Sequence, residues 1–359
     1  MRILHVVGAR PNFMKAAPVI ASLSAHAGVS QVLVHTGQHY DANMSEVFFR
    51  QLGLPEPDAN LGIGSGSQAQ QTARVMIAME DCLQTHHPDL IVVYGDVNST
   101  VAAALAAAKL GIPVAHVEAG LRSFDRAMPE ELNRLVTDQL SDVLLTPSAD
   151  ADENLLREGI KPERIHRVGN VMIDTLVRLL PQASPPEGLQ LAQSYALVTL
   201  HRPSNVDDPR NLQKLVAALC ELSSILQVVF PVHPRTRQRM QSLSLEMPKP
   251  GSLFLIEPLG YLGFLALQRD AAVVITDSGG VQEETTFLGV PCLTVRNNTE
   301  RPVTVSMGTN TLVGNDAQRL LEEARRIVAG QAKRGTIPPL WDGHAAERVA
   351  KALTGRDQI

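Results

Sequence analysis

Residues 272–289 read AVVITDSGGVQEETTFLG. A β-branched run passes through Asp277, Ser278, Gly279 and Gly280 straight into residues that favour a helix. A strand that turns through small residues directly into a helix opens a βαβ unit, whose strands pair in parallel. The turn also leaves the first N–H groups of the helix unpaired, where a diphosphate can approach a backbone that carries no Cβ at Gly279 and Gly280. Glu283 or Glu284, expected on the first turn, could then accept hydrogen bonds from ribose hydroxyls. The same residues equally spell an ordinary strand-to-helix turn with an N-cap serine. They match neither GxGxxG nor GxxxxGK[ST], so neither a nicotinamide enzyme nor a P-loop ATPase is indicated.

The strand-then-helix rhythm extends over the chain on both sides. RILHVVG, QVLVHTG, LIVVYGD, PVAHVEA, VLLTPS and IHRVGN alternate with helical patterns in the first half, and YALVTLH, LQVVFPVH, LFLIEPL and PCLTVR do so after residue 195. The expected fold class is α/β, with two doubly wound, Rossmann-like domains. A chain of 359 residues that is 44% hydrophobic has the material for two cores. The linker is expected in LPQASPPEG, residues 180–188, which is rich in Pro and lacks apolar periodicity. This gives domains over residues 1–172 and 188–343, with a helix at about 344–359 expected to pack back on the first.

Composition excludes several function classes. A net charge of −5 with interspersed signs offers no global field for nucleic acid or membrane, so an anion would be gripped locally. Cys82, Cys220 and Cys292 lie far apart in or beside apolar runs, as expected of buried thiols in a reducing compartment. The N-terminal MRILHVVGAR leads directly into a strand, and no apolar segment reaches about 18 residues. A cytoplasmic protein is expected.

Ligands of open parallel sheets bind beyond the carboxyl ends of the strands. Those ends carry Arg10 with Lys15 one turn later, Asp96, Glu118, His201 with Arg202, His233 with Arg235, and the Ser278-Gly279-Gly280 turn. Arg10 and Lys15 would also serve as plain surface charges. In AHVEAGLRSFDRAMPEELNRL, residues 115–135, Glu118, Arg122, Arg126, Glu130 and Glu131 crowd beside an apolar strand. Such charges are costly near a core unless they meet partners or a substrate, although a solvated loop would accommodate them too. Glu130 and Glu131 stand about 100° apart on a helix, so only one can face a site. His116 lies inside its strand and reads as structural. Asp96, Glu118, Glu130 and His201 lack the spacing of metal ligands, and no metal is expected. Neighbouring carboxylates raise one another's pKa, which suits acid and base work near neutral pH.

GARPNFMK, HTGQHYDANM, VYGDVNST, HVEAGLRS, MPEELNR, GNVMIDT, TLHRPSNVDD, TDSGGVQEE, TERP and DGHAAERV follow in order from residue 8 to 348. Together they resemble the non-hydrolysing UDP-N-acetylglucosamine 2-epimerases. The resemblance implies the two-domain GT-B fold with the active site in the cleft between the domains, a homodimer, a UDP-sugar substrate and no cofactor. It also implies interconversion of UDP-GlcNAc and UDP-ManNAc, by elimination of UDP to 2-acetamidoglucal and readdition, in polysaccharide biosynthesis. By motif position it makes Asp96, Glu118 and Glu130 the catalytic carboxylates, sets His201 beside the departing UDP, and makes Arg122 the counter-ion of Glu118 and Glu130. Arg10, Lys15, Ser278, Gly279, Gly280 and Glu284 become nucleotide-sugar contacts, and Phe264 of GYLGF a neighbour of uracil.

Two stretches depart from the pattern. Gln38-His39-Tyr40-Asp41-Ala42 lacks the basic residue of activated relatives, so conversion without an activating UDP-GlcNAc is expected. His201-Arg202-Pro203-Ser204-Asn205 stands where many relatives read HRxEN. The alternatives are a 2-epimerase of UDP-2,3-diacetamido-2,3-dideoxyglucuronate, using Arg122 or Arg126 for the extra carboxylate, a hydrolysing relative releasing free ManNAc, a GT-B glycosyltransferase, which would need an acceptor, and a non-catalytic nucleotide-sugar sensor.

Overall fold

The computed structural model describes residues 1–38, 49, 51–242 and 253–355; residues 39–42 and the side chain of Arg235, named above, lie outside the described residues. The chain forms two compact units, Met1–Thr175 with Pro339–Ile359, and Leu176–Pro338.

The first unit is built on a parallel seven-stranded sheet of β1 (Arg2–Val7), β2 (Ser30–His35), β3 (Ala59–Asn60), β4 (Leu90–Tyr94), β5 (Val114–Val117), β6 (Val143–Thr146) and β7 (Ile165–Arg167), in the order β3-β2-β1-β4-β5-β6-β7. The central strands read as near-continuous apolar runs because both faces of a parallel sheet are covered by helices. Every residue of β4 is buried. β1 pairs with β2 from Arg2↔Ser30 to Val7↔His35 and with β4 from Ile3↔Leu90 to Val6↔Val93. The polar exception in β1, His5, is satisfied in place by Tyr94 Oη at 2.7 Å and Gln31 Oε1 at 2.9 Å. Burial pushes its pKa down to about 4 against the raising bond from Gln31, so the ring is neutral.

Alanines make room beside β4. The helix Asn98–Lys109 buries Ala102, Ala103, Ala104, Ala106 and Ala107, and packs on the helices Gln68–His86 and Pro129–Leu140. The helix Ala345–Thr354 packs on Arg10–Leu23 of this same unit. Asp174 accepts the amide N–H groups of Ala345 (3.1 Å) and Ala346 (2.6 Å) at its start, and the Trp341 indole donates to Pro147 O (3.0 Å).

The second unit carries a parallel six-stranded sheet of β8 (Tyr195–Thr199), β9 (Gln227–Pro231), β10 (Leu253–Ile256), β11 (Val273–Thr276), β12 (Cys292–Thr294) and β13 (Asn310–Leu312), ordered β10-β9-β8-β11-β12-β13. Val198, Val228, Phe230 and Ile275 form its core with Leu215 and Leu219 of the helix Pro209–Leu222. Both units are therefore doubly wound, as the sequence rhythm implies. The edge strands β3 and β13 have no apolar run of their own to announce them; AN and NTL join the sheets through backbone pairing. In each sheet the strand order reverses beside its first strand, between β1 and β4 and between β8 and β11. Such reversals open a crevice at the carboxyl ends, where ligands bind.

Candidate active site

At the reversal in the first unit, Asn12 ties the ends of β1 and β4 together. Its Oδ1 accepts the N–H groups of Gly8 and Ala9, each at 3.1 Å, and its Nδ2 donates to Tyr94 O at 2.7 Å. Lys15 follows on the same helix. It is buried, and its ammonium meets the carboxylate of Glu118, the first residue beyond β5. Glu118 adopts φ +75°, a left-handed conformation that a glutamate rarely takes and that surrounding structure must hold. Its N–H is fixed to Leu145 O at 3.0 Å.

Gly95, itself at φ +63°, makes room for the pair. A Cβ there would lie 2.7 Å from Lys15 Nζ and 3.1 Å from Glu118 Oε2. Only glycine lets the ammonium and carboxylate rest against the end of β4. Asp96 is the next residue, with its side chain 27% exposed. Two carboxylates thus stand at the ends of adjacent strands, one of them paired with a buried lysine.

Arg134 binds Asp96 and, through Nε at 3.1 Å and Nη2 at 2.6 Å, Glu131 Oε2. Glu131 also accepts the Ser123 N–H and hydroxyl, each at 3.0 Å, and the Phe124 N–H at 2.8 Å. Burial works to raise its pKa, but these donors and Arg134 hold it below the usual carboxylate range. Of the adjacent pair, Glu131 is thus consumed inside the unit, whereas Glu130 is half-buried without a hydrogen-bond partner among the described residues.

One expectation is overturned here. Arg122 is not the counter-ion of Glu118 or Glu130. Beyond two left-handed residues, Glu118 and Gly120, its guanidinium is buried against Glu158, with Nε at 2.8 Å and Nη2 at 2.7 Å, and against Asp138 at 2.7 Å. Lys15 takes the place expected for it. His116 is structural, its ring held between Asp138 at 2.6 Å and Gly95 O at 2.8 Å.

In the second unit, Asp277, to which the sequence reading gave no role, organises the rim. It is fully buried at the end of β11, and its carboxylate accepts the N–H groups of His201 (3.1 Å) and Arg202 (2.9 Å) and the Asn205 amide (2.9 Å), while facing His201 Nδ1 at 2.9 Å. Burial pushes its pKa up, but His201, Arg202 and Asn205 outweigh this and keep it ionised below the usual range. The His201 ring is thereby set at the surface, 59% exposed. An acid directly after a β run and before Ser-Gly-Gly was the available signal.

The helix Gly279–Leu288 starts immediately afterwards. Ser278 is its N-cap residue, yet the hydroxyl makes no cap bond. Glu283 and Glu284 fall on its second turn, not the first, because Gly279 is already helical. A Cβ on Gly279 would lie 2.3 Å from Arg301 Nη1 and 2.8 Å from Glu300 Oε1, so Gly279 is needed for Arg301 to pack against the helix start. Glu284 accepts the Tyr261 hydroxyl at 2.8 Å, and burial pushes its pKa up to about 7 against the bonds from Tyr261 and Gln268. Phe264, on the helix Tyr261–Asp270, packs half-buried with Leu267 and Val274.

The structure therefore brings Lys15, Asp96 and Glu118 together at one rim, with Arg10 exposed on the helix above β1 and Glu130 on the neighbouring helix. His201 and the Ser278-Gly279-Gly280 turn stand at the other. Among the described residues, no three His, Cys, Asp or Glu side chains gather as a metal set, and no helix is long and apolar enough to cross a membrane.

Two doubly wound units with these rims define an α/β enzyme. The chain belongs to the UDP-N-acetylglucosamine 2-epimerase family, whose model matches residues 21–354. It is 42% identical to the UDP-N-acetylglucosamine 2-epimerase of Methanocaldococcus jannaschii, over 99% of each chain. It is 44% identical to the UDP-2,3-diacetamido-2,3-dideoxy-D-glucuronate 2-epimerase of Pseudomonas aeruginosa, over 98% of this chain and 99% of that one. A crystal structure of the M. jannaschii protein in complex with UDP-GlcNAc and UDP superimposes with a TM-score of 0.90, covering 99% of this chain and 100% of that one.

Proposed function

We propose that this chain interconverts UDP-GlcNAc and UDP-ManNAc, and that the placement of Glu118 against Gly95, beside Asp96, carries the chemistry. Inverting C2 requires a base on one face of the sugar and an acid on the other. A carboxylate takes the C2 proton, the C2–H electron pair becomes the C1=C2 double bond of 2-acetamidoglucal, and the C1–O pair leaves with UDP. The return adds a UDP oxygen to C1 and a proton to the opposite face of C2, so electrons balance without an oxidant. Asp96, Glu118 and Glu130 supply the acid and base functions. Lys15 holds Glu118 in place.

The second unit supplies the nucleotide grip. The Ser278 hydroxyl, which makes no cap bond, the free N–H groups at Gly279 and Gly280 and the helix dipole attract the diphosphate, with Arg10 as a further cation. The His201 ring, fixed by Asp277, stabilises negative charge on departing UDP. Glu284 receives ribose hydroxyls, and Phe264 flanks the base. A homodimer in the cytoplasm completes this reading.

The P. aeruginosa relative favours a second substrate reading, a UDP-diacetamido-glucuronate. Since Asp138 and Glu158 occupy Arg122, the exposed Arg126 is the cation left for the glucuronate carboxylate.

Incubation with each UDP sugar in deuterium oxide, followed by NMR at C2, tests both. Epimerised UDP-GlcNAc with one deuteron at C2 and traces of 2-acetamidoglucal is expected. Epimerisation with no deuterium would exclude elimination through solvent-exchanging acids, and turnover of the glucuronate alone would transfer the reading to the second substrate.

A further inference from the structure

We propose that Arg134 is a positioning residue for proton transfer at Asp96, and that Glu131 anchors it so that the helix Pro129–Leu140 sets the geometry of the catalytic carboxylates. This rests on the reading that Asp96 acts on the sugar.

Glu131 and Arg134 are three residues apart and share a helix face. Glu131 already has three donors from Ser123 and Phe124. A purely structural arginine would have no need to reach further. Arg134 instead extends its Nη1 to Asp96 Oδ2, a carboxylate that remains partly exposed at the rim. That leaves Asp96 Oδ1 for the substrate.

The same helix holds the backbone of Asp96 as well. Asn133 Nδ2 donates to Asp96 O at 2.9 Å and to Asn98 Oδ1 at 3.2 Å. Asp96 is thus gripped at both side chain and carbonyl by adjacent residues of one helix, and Glu130 is carried on its first turn. Asp96 and Glu130 consequently move together. Through Ser123 and Phe124, Glu131 links this body to the loop that follows Glu118. A guanidinium is suited to the task because its planar fork bridges two carboxylates in a fixed geometry, which an ammonium cannot do.

The test compares Arg134→Lys, Arg134→Gln, Asp96→Asn and the Arg134→Gln/Asp96→Asn double variant with UDP-GlcNAc. Arg134→Lys keeps a cation beside buried Glu131, so it remains informative if Arg134→Gln does not fold. Misplacement of a catalytic group by about 1 Å lowers turnover by about 10²-fold, and a kcat loss of that order is expected for both variants, with UDP affinity unchanged. The primary isotope effect on kcat with C2-deuterated substrate should rise as proton transfer becomes slower. Loss of folded protein would not move that ratio. The double variant should be no slower than Asp96→Asn alone, since the arginine acts through the aspartate.

Wild-type kcat in Arg134→Lys would overturn the proposal, as would losses that multiply in the double variant. Asp96→Asn at the wild-type rate would instead sink the catalytic reading of Asp96, and this proposal with it.

Discussion

The Lys15 ammonium and the Glu118 carboxylate meet with both side chains only 6% exposed, joining the first helix to the end of β5. Removing one partner of such a pair strands a buried charge, at a cost of about 3 to 5 kcal/mol. Lys15→Met should therefore lower stability by that amount in urea titration, besides abolishing epimerisation. The Lys15→Met/Glu118→Leu double variant should regain much of the stability and none of the activity.

The pKa of Glu284, pushed up to about 7, gives nucleotide binding a pH signature. The folded state holds a proton that an unfolded glutamate releases above its ordinary pKa of about 4.3. This group's contribution to stability therefore falls as pH rises from about 4.3 to 7 and is level above. At the proposed nucleotide site, ribose hydroxyls would donate to the ionised form, so UDP should bind more tightly at pH 8 than at pH 6 and release protons near pH 7. Calorimetry in two buffers of different ionisation enthalpy reads that release directly. Glu284→Gln should remove it and flatten the stability profile.

Gly279→Ala places a methyl group where Arg301 Nη1 now packs, 2.3 Å from the new Cβ. The guanidinium must move off the helix start, and UDP affinity should fall at least tenfold by calorimetry. Ser278→Ala would remove the proposed hydrogen bond to the diphosphate, worth about 1.5 to 3 kcal/mol. If both variants bind UDP normally, the diphosphate does not sit at this helix.

Asp174→Ala leaves the buried amides of Ala345 and Ala346 without acceptors, at about 1 to 3 kcal/mol. Hydrogen exchange in the helix Ala345–Thr354 should accelerate while the amides of β8 and β11 keep their protection. Burial pushes the Asp174 pKa up to about 6 despite those two N–H bonds, and Asp342 adds to the rise. Stability from this group declines as pH climbs from about 3.9 to 6. In Asp174→Asn that slope should vanish.

Periodicity and turn residues disclosed the paired α/β sheets, because a strand buried on both faces must be apolar along its length. They also placed Asp96, Glu118 and Ser278 beyond strand ends. Partners were less legible. The side chain facing Glu118 comes from Lys15, 103 positions away in sequence, while Arg122, four residues on, is turned aside by left-handed backbone at Glu118 and Gly120. Sequence distance carries no information about that reversal. The roles of Asp277 and Arg134 escaped notice for a related reason. Each acts by fixing a neighbour, and such a role is defined only by what the folded chain brings within reach.

The route of the chain has a bearing on synthesis. The first unit begins at the N-terminus, yet Trp341 and the helix Ala345–Thr354 that complete it follow the whole of Leu176–Pro338. At about 5 to 20 residues per second, a ribosome needs roughly 10 seconds or more to make that intervening stretch. Throughout that interval the surface of Arg10–Leu23 destined for the later helix lies uncovered on the nascent chain. The unit started first is thus the last to be finished, and its unfinished face is where a chaperone would have the longest opportunity to engage.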